Sequence, residues 1–250
     1  MVAVNPQSQA KRILILFSDT GGGHRAAATA LEEALLTVDP SICISSADPL
    51  IKQGPALIRQ LTALYSPIIK RSRPAWGAVY HTSNFRATFA AIRAVLGRQV
   101  RRVVAELLTE YDPDLVLSVH PLLNHVSHQA IRKGSRPRAL MTVITDLVDI
   151  HRGWIFPRSD LIVVPTEQAR EACLARRAQP DRIKLLGLPI DLRFRPPAPG
   201  EQAALRRFFG LQETAFTILI CGGGEGSGRL WQQVKALAED ANPWQLIVVC

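Results

Sequence analysis

The chain has 250 residues, of which 47% are hydrophobic and 20% charged, with a formal net charge of +9. That balance excludes a disordered or low-complexity chain and fits one large globular domain or two smaller ones. No apolar run reaches the ~18 residues of a membrane-spanning helix, and Met1–Ala10 lacks a signal-peptide core, so a place in the cytosol or on the cytoplasmic face of a membrane is expected.

The first element is the apolar run Arg12–Phe17, a strand that ends in Ser18-Asp19-Thr20-Gly21-Gly22-Gly23-His24-Arg25. Gly21, Gly22 and Gly23 let backbone N–H groups approach a ligand, and the helix that starts there, over Gly23–Val38, favours negative charge at its N-terminus. A histidine in that position is held neutral by the helix dipole and is available as a base. A tight turn with a surface histidine is the plain alternative. Three glycines followed by His24 and an alanine-rich helix start argue against it. A strand over Ile42–Ala47 follows, then helices over Ala56–Tyr65 and Phe85–Glu110 separated by a proline-containing break at Pro67–Pro74.

That middle region is chemically unusual. Pro49 through Ala105 contains no Asp or Glu but ten basic residues, Lys70, Arg71 and Arg73 among them, which leaves the rest of the chain close to neutral. Trp76 and many aliphatic residues are interleaved with the charges. A basic amphipathic stretch with aromatics reads as an element that lies on an anionic membrane. Nucleic-acid binding and a solvated helical face are the alternatives, and no nucleic-acid partner is expected.

Further strands are read at Leu115–Val119, Ala139–Thr145, Leu161–Val164 and Ile183–Leu186, with helices at Leu122–Arg132 and Glu167–Arg177. Apolar strands alternating with helices and joined by short connections predict an α/β fold with a parallel sheet covered on both faces. In such sheets ligands bind beyond the carboxyl ends of the strands. The Ser18–His24 loop, His120 and Asp146 all fall at such ends. Asp146 is read either as the group that orients His24 or as a turn or N-cap residue. His120 is read either as an acceptor-pocket residue or as a structural hydrogen-bond donor. His120, His125 and His128 lack the cysteine or carboxylate partners of a zinc site, and Asp112-Pro113-Asp114 reads as a solvated turn; no metal and no cofactor are expected. The four cysteines have no close pairing and read as buried free thiols.

The proline-rich stretch Pro189–Gly200 reads as a linker. The pattern then restarts with a helix over Glu201–Phe209, a strand over Thr217–Cys221, a glycine-rich turn over Gly222–Gly228, a helix over Arg229–Ala241 and a strand over Gln245–Val249. Gly222, Gly223, Gly224 and Gly226 offer amides to a phosphate at a helix start. About 50 residues follow the linker, short of the ~100–150 of a common domain, so a truncated second domain is expected.

The octet Ser18–Arg25 resembles the N-terminal motif of the monogalactosyldiacylglycerol synthase and processive diacylglycerol glucosyltransferase family. Ser118-Val119-His120-Pro121-Leu122, Ile144-Thr145-Asp146-Leu147, His151-Arg152-Gly153-Trp154, Val164-Pro165-Thr166-Glu167, Gly187-Leu188-Pro189-Ile190 and Gly222-Gly223-Gly224-Glu225-Gly226 resemble it in the same order. The resemblance implies a GT-B architecture, with a Rossmann-like acceptor domain at 11–187, a linker at 188–200 and an incomplete UDP-sugar-binding domain at 201–250. It implies an inverting transfer of galactose or glucose from a UDP-sugar to the hydroxyl of diacylglycerol. His24 would be the base, Asp146 its partner, and Gly21, Gly22, Gly23 and His120 would bind the acceptor or an anion. The glycines from Gly222 would face the donor phosphate, and Lys70, Arg71, Arg73 and Trp76 would contact the membrane. A polyprenyl-linked acceptor, or an inactive membrane-binding fragment, is the alternative. On the truncated reading the isolated chain is expected to be inactive.

Overall fold

The computed structural model describes residues 10–19, 22–54, 56, 59–60, 73–222, 230–240 and 242–249. Six strands, β1 (Arg12–Leu16), β2 (Cys43–Ala47), β3 (Leu115–Ser118), β4 (Ala139–Val143), β5 (Leu161–Val164) and β6 (Ile183–Leu185), form one sheet in the order β2-β1-β3-β4-β5-β6. Every pairing in it is parallel. The chain moves outward from β1 to β2 and then crosses to the other side of β1 to lay down β3. That reversal opens a crevice at the carboxyl ends of β1 and β3, where this class of sheet binds its ligands.

Alternation along the strands builds two cores. Leu14, Leu16, Val116 and Leu140 face one side and pack with Val104, Leu107 and Leu108 of α3 (Arg86–Tyr111) and Leu123 and Val126 of α4 (Leu123–Lys133). Ile13, Ile15, Leu117 and Val143 face the other side and pack against Ala27 and Ala28 of α1 (Gly23–Val38). Leu14, Ile15 and Leu16 are wholly buried, each stabilising the fold by about 1.5–3 kcal/mol. A third cluster joins Ile162 and Val164 of β5 to Trp154 and to Ala169 and Cys173 of α5 (Glu167–Ala175). Beyond the sheet lie α6 (Glu201–Phe208), α7 (Leu230–Ala238) and a separate parallel pair, β7 (Thr217–Cys221) with β8 (Gln245–Val249).

The structure adds to or departs from the sequence reading in three places. A helix, α2 (Arg73–Ser83), stands where a break was expected to end at Pro74. Pro74 is its second residue, and a first-turn proline removes no helical hydrogen bond. Asp112 and Asp114, whose side chains are 41% and 43% exposed, also pair with Arg12, Arg136 and Arg138 in a cluster that ties the start of β1 to the start of β3. Of the thiols, Cys173 is buried, whereas Cys43 on an edge strand and Cys221 are exposed. Most of the helix read at Ala56–Tyr65 lies outside the described residues.

Candidate active site

His24 is the second residue of α1 and stands directly above the carboxyl end of β1. Gly22 caps the helix with φ 80°, a left-handed conformation that disfavours side chains. Its carbonyl starts the helix by accepting from Ala26 N–H (2.9 Å). The loop before it is fastened by a residue with no motif to announce it. Asp48, fully buried just past β2, accepts from the backbone N–H of Asp19 (2.9 Å), Leu50 (3.1 Å) and Ile51 (2.9 Å). Three N–H donors hold a buried carboxylate in place and fix where the glycine turn begins. Asp19 also pairs with Arg25 at 2.7 Å.

His120 follows β3 and is brought to the same place. Its ring centroid is 4.7 Å from that of His24, edge to face, and the Trp154 ring is 5.6 Å from His24. Leu122 N–H donates to His120 Nδ1 (3.3 Å), which puts the ring proton of the neutral imidazole on Nε2. Thr145, at the end of β4, places Oγ1 3.4 Å from His24 Nδ1. Residues from three strand ends thus converge around one imidazole. Burial lowers the pKa of His24 to about 4, an effect that the Val119 carbonyl beside the ring opposes in part. His120 is lowered well below the ordinary range by burial, then by its neighbours His24 and His151. Both rings are neutral at pH 7.

Of the two readings of Asp146, its hydrogen bond fits the turn residue. Its carboxylate accepts from His151 N–H (3.2 Å), so it shapes the 146–154 loop, and the side chain beside His24 is Thr145. Burial raises the Asp146 pKa, against the opposing influence of the His151 N–H and of the Trp154 indole. That indole Nε1 lies near the carboxyl without completing a hydrogen bond of normal geometry.

The 146–154 loop is held from two sides. Gly153 sits against Pro121: a Cβ there would stand 3.0 Å from Pro121 Cβ and 3.1 Å from both Pro121 O and His151 Nδ1, so a side chain would fit only if these neighbours gave way by a few tenths of an ångström. Asn124, wholly buried in α4, donates from Nδ2 to the Gly153 (3.1 Å) and Trp154 (3.2 Å) carbonyls. From the other side, the α2–α3 junction grips the loop. Tyr80 Oη donates to the Asp149 carbonyl (2.7 Å), Arg152 N–H donates to Asn84 Oδ1 (2.8 Å), and His151 Nε2 meets Ser83 Oγ at 3.2 Å. His151 Nδ1 already accepts from Gly153 N–H (3.1 Å), and the Ser83 hydroxyl donates to the Tyr80 carbonyl (2.9 Å). His151 therefore donates from Nε2 to Ser83. The acid-free basic segment is in this way hydrogen-bonded to the loop that packs on His24 and His120.

Several sequence-expected residues stand outside this description. Gly21, Lys70, Arg71, Gly223, Gly224 and Gly226 lie outside the described residues. Arg73 and Trp76 fall in the first turns of α2. Gly22 and Gly23 border the crevice, and Gly222 donates its N–H to the Val249 carbonyl (3.0 Å) in the second sheet. His125 and His128 pack on Phe156, just past the 146–154 loop. Among the described residues no helix is long and apolar enough to cross a membrane, and no three His, Cys, Asp or Glu side chains are grouped to hold a metal ion. Asp48 and Asn124 were not picked out in the sequence, and Thr145 was quoted only as part of the Ile144–Leu147 motif, with no role given to it. The position of Asp48 at a strand end is the one signal that could have suggested it.

The chain is 34% identical over 253 residues to a probable chloroplastic monogalactosyldiacylglycerol synthase of Glycine max, covering 96% of this chain and 47% of that protein. It is 33% identical over 261 residues to the chloroplastic monogalactosyldiacylglycerol synthase of Spinacia oleracea, covering 99% of this chain and 49% of that protein. It thus spans about half the length of the curated relatives it matches. Among solved structures, the apo form of the lipopolysaccharide outer core galactosyltransferase WaaB superposes with a TM-score of 0.51 at 13% identity, covering 95% of this chain and 60% of that one, a likeness of fold. The family model for monogalactosyldiacylglycerol (MGDG) synthase matches residues 24–190, the stretch that carries His24, His120, Thr145 and the 146–154 loop, and the chain belongs to that family.

Proposed function

We propose that the protein transfers a hexose from a UDP-sugar to the hydroxyl of diacylglycerol with inversion, in glycolipid synthesis, and that His24 is the base. The observation that carries this reading is a neutral imidazole at a helix N-terminus in the β1/β3 crevice, buried against His120 and Trp154. In the reaction the diacylglycerol oxygen attacks the anomeric carbon and the bond from that carbon to the diphosphate oxygen breaks. The hydroxyl proton passes to the imidazole, and UDP leaves with the bonding pair. A proton on His24 is disfavoured by burial, so the step needs compensating negative charge nearby. The departing diphosphate, bound at the amides of the glycine turn and the α1 N-terminus, supplies it as the transition state forms.

Thr145 positions the imidazole in this scheme, and Asp146 acts on it indirectly by holding the loop that carries Trp154. His120, edge to face with His24, forms the acceptor side of the crevice in this reading. Residues 11–187 are the acceptor domain in this proposal and 201–250 belong to the UDP-sugar side, joined by 188–200. The basic segment with Lys70, Arg71, Arg73 and Trp76 attaches the protein peripherally to anionic lipid, which brings the acceptor's plane to the crevice. Galactose is the sugar in the relatives' names, and it is the donor proposed here. Incubating the protein carrying this chain with diacylglycerol and either UDP-galactose or UDP-glucose tests the reading. A galactosyl lipid is the expected product; free sugar alone, or glycosylation of a polyprenyl phosphate in preference, would reject it.

A further inference from the structure

A second site lies at the far end of the same helices. A cavity of about 490 Å³ opens between the last turns of α3 and the end of α4. Arg98, Arg101, Arg102, Lys133 and Arg138 line it, and no carboxylate does. Ala105, Leu108 and Ala130 form an apolar floor, and Thr109 and Ser135 add hydroxyls. It is separate from the crevice, since α4 begins three residues after His120 and its Lys133 end lies about 15 Å further along the helix axis.

Helix chemistry accounts for part of this charge. Lys133 and Arg138 stand at the carbonyl ends of α4 and α3, where cations are favoured. Arg138 donates to the Leu108 carbonyl (3.2 Å), to Asp112 Oδ1 (2.9 Å) and to the Arg136 carbonyl (3.2 Å). Its Nε is nevertheless buried with no partner, on a side chain only 8% exposed. The other three are not explained that way. Arg98, Arg101 and Arg102 project from the body of α3 at helical spacing onto one face. Arg102 reaches Glu106 at 3.2 Å along the helix surface. Arg101 donates to the neutral Gln129 (3.2 Å), and among the described residues no carboxylate pairs with Arg98, Arg101 or Lys133. Arg98, Arg101 and Lys133 therefore stand together around one cavity with no carboxylate against them, a repulsion that an entering anion would relieve. Guanidinium groups present paired N–H donors that match phosphate oxygens.

We propose that this cavity binds a phosphate-bearing anion of at least two negative charges, at a site distinct from the crevice. Its volume suits a headgroup or a small phosphorylated metabolite rather than a single ion. The shared chemistry is the phosphate; a lipid phosphomonoester and a soluble diphosphate are its two sources.

The test is a calorimetric titration of the intact protein with inorganic pyrophosphate, with saturating UDP present to occupy the crevice. The wild type is compared with Arg98→Gln, Arg101→Gln and Lys133→Gln, all at helix surfaces and checked for unchanged melting. Binding is expected to persist in UDP and to weaken about tenfold or more with each substitution, whereas Arg86→Gln, at the other end of α3, leaves it unchanged. Vesicles of neutral lipid with and without a lipid phosphomonoester are then added. Displacement of pyrophosphate by the phosphomonoester vesicles assigns the site to a headgroup; failure to displace assigns it to a soluble ligand. No pyrophosphate binding, binding abolished by UDP, or wild-type affinity retained in all three variants overturns the proposal.

Discussion

Replacing His24 by glutamine should remove a specific part of the protein's acid sensitivity. In the unfolded chain this imidazole titrates at 6.5, and in the folded protein at about 4. Because the folded value is the lower one, the unfolded state binds the proton first. His24 therefore costs nothing above pH 6.5, and stability is lost as pH falls from there toward 4. Integrating the two titrations between pH 7 and pH 5 gives a loss of about 2 kcal/mol from this one ring, at up to ~1.4 kcal/mol per pH unit. His120, His151, His125 and His128 are also lowered, chiefly by burial, and lose stability in the same direction. They are present in both proteins, so the difference between wild type and His24→Gln isolates His24. Losing His24 also relieves His120 of one charged neighbour, which enlarges the difference. The assay is urea unfolding at pH 7 and pH 5. With m of about 1–3 kcal/mol/M, the wild-type midpoint should drop by on the order of 1 M more than that of the variant. An equal drop in both would show that His24 is not held neutral by burial, and the argument for a desolvated base would fail.

Three other substitutions probe the supports of the crevice. Asp48→Ala strands three buried or half-buried N–H donors and should cost about 1–3 kcal/mol for each group left unpaired, with lower UDP affinity by calorimetry; an unchanged melting temperature would remove Asp48 from this role. Gly153→Ala forces a methyl against Pro121 and should destabilise by about 1–3 kcal/mol, with Trp154 fluorescence shifted as its loop moves; a neutral effect would mean the loop is not docked as described. Changing Lys70, Arg71 and Arg73 together to Glu should release the protein from anionic vesicles in a flotation assay, since each basic group near the surface contributes ~1 kcal/mol; retained binding would place the membrane contact elsewhere.

The sheet was legible because its strands are short apolar runs bounded by turns, and their alternation survives in the two core faces. His24 and His120 were legible for a similar reason: His120 follows β3 closely, His24 opens the helix after the β1 loop, and the reversal between β1 and β3 brings those strand ends together. Helix α2 was not, because Pro74 looks like a breaker in a sequence and is harmless in a first turn. Asp146 against Thr145 shows a sharper limit. The two are adjacent at the end of β4, and which of them faces His24 depends on how the chain turns after the strand. The loop that follows packs on Pro121 through Gly153, across a sequence gap no local pattern spans. Asp48 is invisible for a related reason: an acid after a strand reads as a surface turn until three N–H groups are found around it.

The most direct measurement is sugar transfer to diacylglycerol by the protein carrying this chain, with His24 intact and as His24→Ala, with vesicle binding followed in parallel. The account predicts a lipid-linked hexose from the wild type, a fall in turnover of ~10²–10⁴ in the variant, as for loss of a general base, and undiminished vesicle binding. Turnover within a few-fold of wild type in His24→Ala would contradict it.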